Sequence, residues 1–189
     1  LVQFGRDLDL GTVSPSKLWI DQRIDGHLNT ANGAELFVVL KAPLNEDISI
    51  VGDAYDGHGG LWSFAGGQTR YPNDAGWIED YVGSSTLATF DPKIDIERLH
   101  LYHVSVSDTS WTSWINGYEI FTRASNDFSL PNESIVFGTS HDGRYFFTGE
   151  IAEILVFSGT LSEVERAEIT DYLLWQYKIS KIVKPIITS

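Results

Sequence analysis

Along most of the chain, apolar residues fall in short runs of β-branched and aromatic side chains separated by Gly, Asn and Asp, the pattern of strands joined by turns. "AELFVVLKA", "DISIVGDAY", "GLWSFAGG", "STLATFD", "ERLHLYHVSVS", "TSWINGYEIFTRA", "SIVFGTS", "RYFFTG" and "EIAEILVFSG" all read as strands. In "INGYE", Asn116 and Gly117 sit between two apolar runs and predict a tight hairpin, because both residue types tolerate positive φ. "SHDGRY" repeats the device with Asp142 and Gly143.

One segment breaks the period. "LSEVERAEITDYLLWQYKI" opens with Ser162, followed three residues later by Glu165, the spacing at which each side chain satisfies the other's free backbone donor at a helix start. Ile169, Tyr172, Leu173 and Tyr177 then recur at helical spacing and predict one apolar face on a helix over 162–177. Many short strands, no βαβ alternation and one late helix define an all-β fold, a two-sheet antiparallel jelly-roll sandwich with one C-terminal α-helix. A single domain over 1–178 is expected. Residues 179–189, with Lys181, Lys184 and Pro185, read as a tail or a linker to a neighbouring subunit. Residues 1–35 carry no clear element.

Composition narrows the function. The chain has 189 residues, 42% of them hydrophobic, which suits one substantial core. Its formal net charge of -13 argues against nucleic acid as a partner, since phosphate binding needs a basic face. With no cysteine, disulfides and thiolate metal sites are excluded. No run approaches the roughly 18 apolar residues of a membrane span, so membrane insertion is not expected. The absence of methionine fits a processed product or a part of something larger.

The order of four elements carries a resemblance. His103 to Val106 form a "HVSV" run that leads into the Asn116-Gly117 hairpin; Gly149 to Glu153 ("GEIAE") then precede Leu161 to Arg166 ("LSEVER"). Over residues 36–177 this resembles the laminin-G-like, concanavalin A-like jelly-roll family. The resemblance implies two curved antiparallel sheets, with any ligand on the concave face or the edge loops. It implies no particular activity, since lectins, glucanases, adhesion domains and virion parts share the fold.

"DPKIDIERLH" places Lys93, Asp95 and Glu97 at alternate positions, about 6.6 Å apart on one face if the stretch is a strand. The resemblance brings in β-glucanases whose active strand reads Glu-x-Asp-x-Glu, but here Lys93 stands at the nucleophile position. An ammonium group cannot form the glycosyl ester of a retaining mechanism. The row therefore reads as a solvated, mutually compensating face.

Other constellations point to binding. In "GDAYDGHGG", Asp53 and Asp56 could join loop carbonyls around calcium, and His58 lies beside them; the same residues also suit an ordinary turn. "LWSFAGGQTRYPNDAGWIEDYVG" gathers Trp62, Arg70, Tyr71, Trp77 and Tyr81 with Asn73, Asp74 and Asp80, the aromatic and amide-carboxylate mixture that stacks and hydrogen-bonds sugars. Arg144 and Tyr145 form a second candidate contact at a hairpin tip. His100 and His103, three apart on a strand, face opposite sides and share no metal; Trp111 and Trp114 likewise diverge. There is no Gly-x-Ser-x-Gly elbow and no phosphate-cradling loop before a helix.

These observations lead to a non-catalytic module, extracellular, on a cell surface or in a virion, that binds a glycan or glycosylated surface. The alternative is a structural or decoration protein whose tail contacts neighbouring subunits. A polysaccharide-cleaving enzyme acting through Glu97 ranks third.

Overall fold

A computed structural model describes residues 33–42, 60–64, 67–73, 75–82, 86–128, 136–138, 147 and 149–182. Within them lie ten strands: β1 (Gly33–Lys41), β2 (Gly60–Phe64), β3 (Gly67–Arg70), β4 (Ile78–Asp80), β5 (Ala88–Phe90), β6 (His100–Ser107), β7 (Trp111–Ile115), β8 (Tyr118–Arg123), β9 (Val136–Phe137) and β10 (Glu150–Ser158). A single helix among the described residues, α1 (Glu163–Gln176), follows β10. The strands form two sheets, ordered β10-β1-β6-β7-β8 and β5-β4-β3-β2-β9, and every described pairing is antiparallel. The expected all-β sandwich with one C-terminal helix is the architecture observed.

Why β1 reads as an almost unbroken apolar run follows from its position. It lies second in its sheet, between β10 and β6, and both of its faces are covered. Ala34, Leu36, Val38 and Leu40 point between the sheets, where they join Trp62, Ile78, Phe90, Tyr102, Trp111 and Phe137 in the main core. Phe37 and Val39 point the other way and pack with Leu101, Leu155, Leu173 and Leu174 under α1. A strand buried on both faces loses the polar alternation that marks a half-exposed one.

The helix begins at the predicted cap. Ser162 Oγ accepts from the Glu165 backbone N–H, and the Glu165 carboxylate accepts from the Ser162 N–H at 2.9 Å. Its buried residues are Thr170, Leu173 and Leu174. Tyr172, expected on the apolar face, is instead 46% exposed. Between Leu173 and Tyr172 the helix turns about 100°, and the former falls on the sheet side. Beyond the helix, residues 179–182 run back over the body: Ile182 N–H donates to the Asn116 carbonyl at 3.2 Å, and Ile179 and Ile182 pack against the two cores.

The Asn116-Gly117 hairpin forms as expected, with φ of 49° and 76°. The row at 93–97 departs from expectation in its backbone. Residues 91–99 form a looped connection between β5 and β6. Asp91 accepts from the Lys93 N–H and ammonium, and Asp95 from the Glu97 N–H and the Arg98 guanidinium. Lys93 therefore pairs with Asp91, and the predicted Lys93 pairing with Asp95 and Glu97 does not form. Short Asx turns satisfy the backbone locally and compete with a strand ladder. Asp95, Lys93 and Glu97 are solvent-exposed, while Ile96 is buried.

Candidate functional site

The hairpin formed by β3 and β4 separates the predicted glycan residues into two groups. Arg70 pairs with Glu79 across the strands, and Glu79 in turn lies opposite Thr89 of β5. On β4, Ile78 and Asp80 are buried while Glu79 between them is partly exposed. The pleat thus turns Arg70, Glu79 and Thr89 away from the main core and Thr69, Tyr71, Ile78 and Asp80 into it.

The inward group is structural. Trp62 has no exposed surface and stacks on Tyr102 at 5.5 Å between ring centroids. Tyr71 is buried against His100 and Tyr102. Asp80 is fully buried and accepts hydrogen bonds from Thr69 Oγ1, Tyr102 Oη at 2.6 Å and the Val82 N–H at 3.1 Å. Burial pushes its carboxyl above the usual range, against the opposing effect of these three donors. Trp62, Tyr71 and Asp80 were candidates for sugar contact; as placed, none of them presents a surface to a ligand outside the sandwich. Alternation explains it, because Trp62 and Asp80 fall on the inward parity of their strands and Tyr71, just past β3, continues the inward parity of Thr69.

Beside Asp80 the same buried layer holds a neutral histidine. His100 Nδ1 lies 2.7 Å from the Arg98 carbonyl, which can only accept, so Nδ1 carries the proton. Nε2 then accepts from Tyr71 Oη at 2.7 Å. Burial lowers the His100 pKa to about 4. His103 lies on the opposite side of β6, where its Nε2 donates to Glu35 at 3.0 Å. The two histidines do diverge, as do Trp111, buried in the main core, and Trp114, stacked on His103 at 4.4 Å.

The outward group forms a rim. Trp77 is 46% exposed at the start of β4. Asn73 shapes the loop beneath it: its Oδ1 accepts from the Ala75 and Trp77 N–H groups at 2.9 Å each, and its backbone N–H donates to the Trp77 carbonyl at 2.7 Å. Gly76 completes the turn at φ 77°, a region open to glycine. Asn73 Nδ2 donates to Glu79 Oε1 at 2.7 Å, and Arg70 Nη1 lies 3.5 Å from Glu79 Oε2. Tyr81 is half-buried just beyond β4.

This rim offers an exposed tryptophan and, two residues on, a carboxylate held in place by an amide and a guanidinium. Sugars bind such surfaces by laying a C–H face on the ring while fixed polar groups take the hydroxyls. Sequence reasoning chose Asp80 and passed over Glu79. The signal was present: "WIED" alternates, and an inward Ile78 assigns Glu79 to the outside. Asn73 was expected to meet hydroxyls, but its carbonyl oxygen is occupied in building the turn. Asp53, Asp56, Arg144 and Tyr145 lie outside the described residues, as do His58 and Asp74. Among the described residues no group of three or more His, Asp or Glu side chains is placed to hold a metal ion, and no helix is long and apolar enough to cross a membrane.

No family model matches the chain, and no curated protein does. Solved structures share its fold. A Bacteroides ovatus protein assigned to carbohydrate binding superposes with a TM-score of 0.52 at 14% identity, over 70% of this chain and 39% of its own. The NanB sialidase of Streptococcus pneumoniae gives 0.52 at 17%, over 74% of this chain and 24% of its own. Domain 4 of AbnA, a GH43 extracellular arabinanase of Geobacillus stearothermophilus solved with arabinotriose, gives 0.50 at 18%, over 77% and 68%. This chain thus spans well under half of the first two proteins. The likeness at these identities is one of fold: a β-sandwich of the kind found in carbohydrate-binding domains.

Proposed function

We propose that this chain is a non-catalytic glycan-binding module of a larger extracellular, cell-surface or virion assembly, and that it binds through the rim of the β3-β4 hairpin. The observation that carries the reading is the exposed Trp77, two residues before Glu79, a carboxylate already oriented by Asn73 and Arg70. Preorganised polar groups lose little entropy on binding, so a shallow surface can still select a sugar. Trp77 supplies the stacking face, Glu79 accepts from sugar hydroxyls, and Arg70 and Tyr81 flank them. The fold supports the class of ligand, since similar sandwiches occur in a carbohydrate-binding protein and in an arabinanase domain solved with an oligosaccharide. The larger assembly is suggested by neighbours in which this fold occupies 39% and 24% of the chain.

The test is a glycan array probed with the wild-type chain and Trp77→Ala, in calcium and again in chelator. Binding that Trp77→Ala abolishes in both conditions supports the rim. Binding that disappears only with chelator would move the site to a calcium-dependent loop, with Asp53 and Asp56 the residues to change next. An empty array would favour the structural, decorating role.

A further inference from the structure

The face of α1 turned away from the sheets is not a conventional polar surface. Its sheet side is set by Thr170, Leu173 and Leu174. At 100° per residue the opposite stripe runs through Val164, Glu168, Asp171, Tyr172 and Trp175. Val164 is 67% exposed, Tyr172 46% and Trp175 76%. A tryptophan left in water on a helix with a buried side gains nothing for folding.

Trp175 does not stand on an open plane. It borders an open depression of about 710 Å³ lined also by Asp171, Leu174, Gln176, Lys178, Ile179 and Lys181, within the size range of small-ligand sites. The chain returning from the helix makes its far wall. Lys178 adopts φ 54°, and the Tyr177, Lys178 and Ile179 N–H groups bond the carbonyls of Leu173, Trp175 and Leu174. These bonds cover the helix C-terminus, and both lysines line the depression together with Trp175. Lys181 Nζ pairs with Asp171 at 2.8 Å, whereas Lys178 has no ion pair among the described residues. An aromatic plane, a carboxylamide and two ammonium groups thus meet in a chain whose net charge is -13.

From this we infer that the depression at the C-terminal end of α1 is a second carbohydrate-binding face, selective for sugars that carry a carboxylate. The sugar ring stacks on Trp175, its carboxylate meets Lys178, and Gln176, Asp171 and Lys181 take hydroxyls. A second copy of the chain fits less well. Glu168 and Asp171 interrupt the apolar stripe between Val164 and Trp175, so no continuous seam for helix packing exists, and two molecules of charge -13 repel each other. The site is independent of the Trp77 rim and stands or falls separately from it.

Isothermal titration of the whole chain with trigalacturonate, and with its carboxyl-reduced counterpart, tests the assignment. The acidic sugar is expected to bind and the reduced one to bind at least tenfold more weakly. Trp175→Ala is expected to abolish binding, and Lys178→Ala to weaken it severalfold and remove most of its salt dependence. Both changed side chains are exposed, so the variants fold. Failure of the acidic sugar to bind, equal binding of the two sugars, or binding that survives Trp175→Ala would overturn the proposal. So would a sedimentation coefficient that shows a dimer in the wild type and a monomer in Trp175→Ala, which would make this face a contact between copies.

Discussion

Arg166 of α1 reaches down to Glu35 of β1, placing Nη2 at 2.6 Å from Oε1 and Nε at 3.3 Å from Oε2. Glu35 has no exposed surface, and it also accepts from His103, Ser105 Oγ and the Leu161 N–H. Above the pair, the guanidinium lies 5.2 Å from the Trp114 ring, which stacks on His103, which stacks on Phe37 at 3.8 Å. Burial alone would raise the Glu35 carboxyl, but the hydrogen bonds from His103 and Arg166 prevail and hold it below its ordinary value. The helix is thus fastened to the sheet by charge as well as by Leu173 and Leu174.

Removing one partner should cost far more than removing both. Arg166→Met leaves the Glu35 charge buried and is expected to destabilise the chain by about 3 kcal/mol, whereas the double change Glu35→Gln with Arg166→Met should cost less than the sum of the single changes. Urea unfolding of the four proteins checks this. Additive effects would mean that the pair is solvated.

Acid should loosen the sandwich well before carboxylates titrate. His100 holds its folded pKa near 4, below the ordinary 6.5, so between those values the unfolded chain binds more protons and stability rises with pH. That contribution, up to roughly 3 kcal/mol, is lost as pH falls from 6.5 to 4. His103, also lowered by burial, acts with the same sign, and Glu35, held low, adds a loss below 4.5. Asp80, raised by burial, works the other way above 3.8. Unfolding midpoints are expected to fall steadily from pH 7 to 4, and an NMR titration of the His100 ring should centre near 4. A midpoint at 6.5 would mean that the ring is open to water.

The two tryptophans of the β2-to-β4 region should respond oppositely. Trp77→Ala is expected to change stability by less than about 0.5 kcal/mol while reducing sugar affinity tenfold or more, because the ring is half in solvent. Trp62→Ala removes a fully buried ring and is expected to cost about 3–5 kcal/mol. Thermal melts beside binding isotherms separate the two. Equal destabilisation would place Trp77 in the core and remove it from the rim.

Asn116 couples three parts of the chain. Its Oδ1 accepts from the Leu101 N–H at 2.8 Å, its own N–H donates to the Leu101 carbonyl at 2.9 Å, and its carbonyl accepts from Ile182. At φ 49° it occupies a region that most residues avoid. Asn116→Ala should therefore cost about 2 kcal/mol, and Asn116→Gly, which keeps the backbone but loses the side-chain bond, about 1 kcal/mol. If the order of these two costs is reversed in denaturant titrations, backbone strain is not the controlling factor.

Much of the architecture was written in local pattern. Capping at Ser162 and Glu165, the Asn116-Gly117 turn and the strand runs of β1, β6, β7 and β8 depend on neighbours within a few residues, and a sequence displays such neighbours directly. The divergence of His100 from His103 and of Trp111 from Trp114 followed from the two-residue period of a strand. What tertiary structure decided was the partner across the fold. Aromatic and acidic residue types crowd into 62–81 in the sequence, but whether Trp62 or Trp77, and Asp80 or Glu79, meets solvent depends on which face the second sheet turns to the first. The 91–99 stretch alternates like a strand, yet local Asx turns took its backbone bonds. Glu35 looks in sequence like the polar member of an alternating strand; it became a buried anchor because α1, 131 residues further along, brings Arg166 over it. Local bonding is legible because its partners are adjacent, whereas burial is set by packing between segments that the chain order keeps far apart.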